Sequence, residues 1–173
     1  MSSDNRRVVV GVSDSLAGLE ALRFATSEAR MRGASLIAIR TWAFRAGSRE
    51  PGMQIWRRQE EYAAARTLAN AFDVAMGGPP DDIAVEMMVA EGIVEHVLVA
   101  TADRRTDLLV LGGPVGAAWH VGRTRIVRFC TRRAACPVLV VPPPELARHA
   151  KAKAMARSLW RETEDFSRTL SRS

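Results

Sequence analysis

The chain has 173 residues, 47% of them apolar and 25% charged, with a formal charge of +6. That is the size and composition of one globular domain, able to build a core without disulfides or a structural metal. The two cysteines, Cys130 and Cys136, form no C-x-x-C and argue against a zinc site, no apolar run is long enough to span a membrane, and Met1 to Arg7 lacks the apolar middle of a signal peptide, so a cytoplasmic protein is expected.

The first predicted element is the β-branched run Val8 to Val12, which reads as a strand buried on both faces. Ser13, Asp14 and Ser15 follow as an N-cap cluster. Leu16, Leu19, Leu22, Ala25 and Ala29 recur at helical spacing until Gly33 stops the helix. A second strand runs from Leu36 to about Trp42. After a Gly- and Pro-containing loop at 44–53, a helix is expected over 54–76 with Ile55, Tyr62, Leu68, Ala69 and Phe72 on one side, closed by Gly77-Gly78-Pro79-Pro80. Ile83, Val85, Met87 and Val89 alternate with mostly polar residues, as in a half-exposed strand near a sheet edge. Ile93, Val94, Val97 and Leu98 mark a short helix. Leu108 to Leu111 is a fourth, buried strand, entered through Asp107. A glycine-rich loop spans 112–122, Ile126, Val127, Cys130 and Ala134 mark another helix, and Val138 to Val141 is the last strand before three prolines. The order β-α-β-α-β-α-β-α-β predicts a doubly wound, five-stranded parallel sheet flanked by helices, over residues 1–143. Residues 144–173 differ. They read as a basic helical extension with Met155, Leu159, Phe166 and Leu170 near one face, suited to docking on the domain or to a protein partner. An acidic membrane surface or nucleic acid, through Arg148, Lys151, Lys153 and Arg157, is the other reading.

Ligands of such sheets bind beyond the carboxyl ends of the strands. Two loops qualify here, Gly11-Val12-Ser13-Asp14-Ser15 and Gly112-Gly113-Pro114-Val115-Gly116. Glycine allows close approach of backbone to phosphate, and the following helix offers free N–H groups, although tight turns alone also call for glycine. Neither G-x-x-x-x-G-K-[ST] nor G-x-G-x-x-G occurs. The stretches VVVGVSDS (8–15), ALRFATSEA (21–29), DLLVLGG (107–113) and CPVLVVP (136–142) together resemble the universal stress protein family, over about residues 6–142. The resemblance implies a fold of the adenine nucleotide alpha hydrolase type, usually dimeric, with ATP-binding and non-binding branches. The binding branch is similar to G-x2-G-x9-G-[ST]. Gly113 and Gly116 match its first half, whereas its G-[ST] falls on Thr124-Arg125, with Gly122 two residues early. Where the family has Asp then Gly after the first strand, this chain has Ser13 then Asp14. The resemblance therefore places an adenine nucleotide, ATP with Mg or a relative, against Gly11, Val12, Ser13, Thr41, Leu111, Gly112, Gly113, Gly116, Gly122, Thr124 and Arg125. Arg125, at a helix start, is expected to point toward the loop and hold phosphate by its side chain. No catalytic group is expected, and turnover is limited to slow ATP hydrolysis. The alternative is a nucleotide-free member acting through protein contacts of the extension.

Other residues admit plainer readings. Arg125, Arg128 and Arg132 share a helical face, as an anion-binding stripe or a solvated surface. His120 is a loop histidine that could serve a phosphate, and His96 reads as a surface residue. Trp42, Trp56 and Trp119 could stack on a base but suit core or interface. Turn chemistry suffices for Asp103 and Asp107. No metal-ligand spacing is present. Val138, Leu139, Val140 and Val141 form an apolar terminal strand whose open edge suggests pairing with a second copy, making a homodimer.

Overall fold

A computed structural model describes residues 6–43, 53–113 and 121–145, of which 53 and 121–124 by backbone alone. The elements are β1 (Arg7–Gly11), α1 (Leu16–Arg32), β2 (Ser35–Trp42), α2 (Met53–Met76), β3 (Val85–Glu91), α3 (Val94–Thr101), β4 (Leu108–Gly112), α4 (Val121–Arg133) and β5 (Val138–Val141). The strands form one parallel sheet in the order β3-β2-β1-β4-β5. The winding reverses between β1 and β4, as expected for a doubly wound fold. The predicted extension lies outside the described residues beyond Glu145.

Side chains alternate across the strands and divide the core into two layers. Val8, Val10, Leu36, Ala38, Leu108 and Val110 pack under α1 and α2, with Leu22, Leu68 and Phe72 as the large buried helical residues. Val9, Ile37, Ile39, Leu109 and Leu111 pack under α3 and α4 with Leu98, Ala102 and Cys130. Both cysteines are buried and free. Burial pushes the Cys130 thiol up to about 11, helped by the negative charge of Glu95 and by Cys136.

The capping residues of α1 act as expected. The Ser15 hydroxyl accepts the Gly18 N–H at 3.0 Å, and Gly33 ends the helix with φ 58°. Several expected positions differ. Leu16 is 57% exposed, because it lies on the side of α1 opposite Gly18, Leu22, Ala25 and Ala29. On α2, Ile55, Tyr62 and Ala69 face solvent, and the buried arc is instead Ala64, Leu68, Ala71, Phe72 and Ala75. Those five share one side at 100° per residue, and alanine lets the helix sit close to the sheet. The third strand starts at Val85, not Ile83, and is an edge strand as its alternation suggested. Helix α4 starts at Val121, so Gly122 and Thr124 belong to its first turn rather than to the preceding loop.

The opposite end of the sheet is tied by charge. Arg7 donates from Nε and Nη2 to the two carboxylate oxygens of Asp107, at 3.0 and 2.6 Å, and from Nη2 to Asp103 at 2.6 Å. Asp107 also accepts the Arg104 N–H at 3.1 Å. These two aspartates therefore do more than shape a turn. They fix the start of β1 to the α3–β4 connection.

Candidate functional site

At the carboxyl ends of β1, β2 and β4, a cavity of about 280 Å³ opens between the sheet and the α3–α4 layer. It lies at the reversal in strand order, where such sheets bind ligands. Ile39, Val94, Leu98, Leu111, Ile126 and Val127 make its walls apolar. Gly11, Val12, Ser13, Thr41 and Gly112 form its polar rim. Arg40, also in the lining, is its one charged residue among those described. Alternation along β2 puts Ile39 and Thr41 on the cavity side and sends the Arg40 side chain the other way, where it bonds Asp14 at 3.2 Å.

Ser13 and Ser15 share a hydroxyl hydrogen bond of 3.0 Å. Because Ser15 already accepts from Gly18, the Ser13 oxygen keeps a lone pair for a ligand hydroxyl. The loop sits hard against α1. A Cβ at Gly18 would come 2.2 Å from the Ser13 hydroxyl oxygen and 2.5 Å from its carbonyl oxygen.

Helices α3 and α4 are latched beside the cavity by Glu95 and Arg125. Arg125 donates from Nε and Nη2 to Glu95 Oε1, at 2.9 and 2.6 Å. Burial pushes the Glu95 carboxyl up, but its own backbone N–H, Arg125 and nearby His96 outweigh that and hold its pKa below the ordinary value. Burial of an unpaired carboxylate would be costly, and Arg125 removes that cost.

A family model described as the universal stress protein family matches residues 4–142. The chain belongs to the universal stress protein family. Solved universal stress proteins share its fold. UspA from Lactobacillus plantarum is 19% identical with a TM-score of 0.58, over 81% of this chain and 99% of that one. A universal stress protein in complex with cAMP is 26% identical with a TM-score of 0.56, over 82% and 100%. A family protein from Arabidopsis thaliana with AMP bound is 16% identical with a TM-score of 0.52, over 80% and 92%. No curated protein matches the chain by sequence.

Within this universal stress protein, the site residues expected from sequence do not all converge. Gly11, Val12, Ser13, Thr41, Leu111 and Gly112 line the cavity together. Gly113 stands beside it, but its N–H donates to the Val141 carbonyl at 2.7 Å. That donor is spent on β5 and not offered to phosphate. Gly116 lies outside the described residues, and Gly122 and Thr124 sit in α4. Arg125 does not line the cavity, and its guanidinium is held by the buried Glu95. Sequence reading missed Ile39, Val94, Leu98, Ile126 and Val127, which passed as ordinary core. Glu95 was also missed, although an acid inside the apolar segment VEHVLVAT (94–101) marks a side chain in need of a cation. Among the described residues, no three His, Cys, Asp or Glu side chains group to hold a metal. No described helix is long and apolar enough to cross a membrane.

Proposed function

We propose that this universal stress protein binds an adenine nucleotide in the cavity at the ends of β1, β2 and β4, and acts as a nucleotide-responsive binding module rather than as a catalyst. The observation that carries this reading is one apolar cavity at the reversal in strand order, rimmed by Gly11, Val12 and Ser13 after β1 and by Gly112 at the end of β4. The complex of the 26% identical relative with cAMP supports the same ligand class.

The chemistry of the lining suggests how such a ligand lies. Ile39, Val94, Leu98, Ile126 and Val127 would sandwich the base, with the backbone around Thr41 at its polar edge. Ser13 would hydrogen-bond the ribose. A neutral hydroxyl is weaker there than a carboxylate by roughly 1 kcal/mol, since bonds to charged groups exceed neutral ones by about that much. At about 280 Å³ the cavity takes a base and sugar and leaves phosphates to its mouth near Gly112. Among the described residues, Arg40 of the lining and Arg125 on α4 already hold carboxylates, Asp14 and Glu95. The described residues therefore offer a triphosphate little free positive charge, and a nucleotide with one phosphate, cyclic or open, is favoured over ATP with Mg.

Calorimetric titration with cAMP, AMP and ATP, each with and without Mg²⁺, tests this. One nucleotide per chain is expected, with cAMP or AMP binding at least as tightly as ATP. Val94→Trp, which fills the cavity, should abolish the heat while circular dichroism stays unchanged. Silence of all three ligands up to millimolar would overturn the reading and favour a nucleotide-free member that acts by protein contact.

A further inference from the structure

We propose that the outward face of α4 binds the phosphodiester backbone of nucleic acid without regard to base sequence. The helix has five arginines, Arg123, Arg125, Arg128, Arg132 and Arg133, and no acidic residue among thirteen. Its inner side is Ile126, Val127 and Cys130. At 100° per residue, Arg125, Arg128 and Arg132 fall opposite that side, and all three are exposed.

Arg125 holds the buried Glu95, and among the described residues the other two carry their charge without a carboxylate. Elsewhere Arg7, Arg23, Arg30, Arg32, Arg40 and Arg57 each hold a carboxylate, whereas the exposed Arg58, Arg66 and Arg105 do not but lie on helices or turns that also carry acids. Among the described residues, Arg128 and Arg132 hold none, and Arg133 lies 6.0 Å from the centre of the Phe129 ring. A solvated helix face ordinarily mixes signs at i, i+4, and Arg128 with Arg132 places like charges there instead. The helix dipole favours Arg132 and Arg133 in the last turn but does nothing for Arg128. Among the described residues, Arg128 and Arg132 are left as uncompensated positive charge that a polyanion would neutralise.

Its chemistry selects among polyanions. Every cation of α4 is a guanidinium, whose planar fork fits phosphate oxygens in pairs. No large apolar side chain is exposed on the stripe. Phe129 is half-buried, stacked on His96 with ring centres 4.8 Å apart. A membrane-binding helix needs an apolar face to insert, and a protein interface needs an apolar centre. A face of charge alone suits a phosphodiester backbone. This surface lies outside the cavity, so the inference stands apart from nucleotide binding.

Fluorescence anisotropy of a labelled duplex DNA of roughly 20 base pairs, titrated with the full chain, tests the assignment. Binding is expected at about 50 mM salt, with log K falling by about 2–3 per tenfold rise in salt, as for three neutralised phosphates. Arg128→Gln with Arg132→Gln should weaken binding about tenfold or more and flatten that slope by about 2. Arg58→Gln with Arg66→Gln, the same charge change on α2, should alter neither quantity. Absence of binding at about 50 mM salt, or equal losses in both double variants, would overturn the proposal. So would stripe-dependent binding of phosphatidylserine vesicles with no binding of DNA, which would assign the face to membranes.

Discussion

At Gly112 a Cβ would lie 2.7 Å from the Ala17 carbonyl oxygen and 2.9 Å from the Gly18 nitrogen. The glycine that looks like a phosphate cradle is thus also the point where β4 meets the start of α1. Gly112→Ala should destabilise the fold by about 1–3 kcal/mol through overpacking, read as a lower urea midpoint with an unchanged slope. Full stability with nucleotide affinity alone reduced would mean that the residue serves the ligand and not the packing. The glycines were legible as a signal, but their reason was not, because the close approach comes from α1, some ninety residues earlier in the chain. The same holds for Asp107, whose partner Arg7 is 100 residues away. Its side chain is fully buried while Arg7 is 14% exposed. Asp107→Ala leaves that guanidinium without its main anion and should cost roughly 3 kcal/mol, near the lower end for a buried pair because Asp103 remains. A urea midpoint within error of the parent chain would show that Asp103 replaces the lost partner.

The elements were legible because their periods were clean: β-branched runs for the inner strands, a serine cap and a glycine stop for α1. Helix α2 was legible in extent and not in orientation. Its large apolar side chains, Ile55 and Tyr62, face water, while small alanines face the sheet, so size misdirected the choice of buried side. The cavity walls were hidden for a related reason, since Val94, Leu98 and Ile126 look the same whether they touch core or ligand. The layer of α3 and α4 carries two opposed pH dependences. Glu95 has a folded-state pKa below its ordinary value of 4.5, so its contribution is present above that pH and is lost as pH falls through the folded value. Asp103, lowered mainly by the hydrogen bond from Arg7, acts in the same direction from 3.8. Glu95→Gln should therefore flatten the acid limb of a stability profile. Cys130 works at the other end. Its thiol is raised from 9.0 to about 11, so the unfolded chain ionises first and stability falls between those values as pH rises. Cys130→Ser should remove part of that alkaline loss, though a buried hydroxyl lowers stability throughout. An alkaline limb identical in the variant would show that other groups govern it.

Among the described residues, no strand pairs with the outer edge of β3 or of β5, and the two edges are not alike. β3 is shielded by charge, with Glu86 and Glu91 exposed along it, the latter paired with Arg57. Such charges discourage strand pairing. β5 carries none: Val138, Leu139, Val140 and Val141 are all apolar, and Val140 is 37% exposed. Its inner edge already pairs with β4 from Val138 to Val141, and among the described residues no strand pairs with its outer edge. We propose that a second copy covers it, giving a homodimer joined through β5. Because the two α4 helices would then lie on subunits that share one sheet, the interface would also bring two basic stripes into one assembly. Val140→Asp puts a charge at the exposed centre of that edge without entering the core. It should convert dimers to monomers in sedimentation velocity at micromolar concentration, with the circular dichroism of the parent. Monomers in the unaltered chain, or dimers that survive the substitution, would exclude β5 as the joining edge.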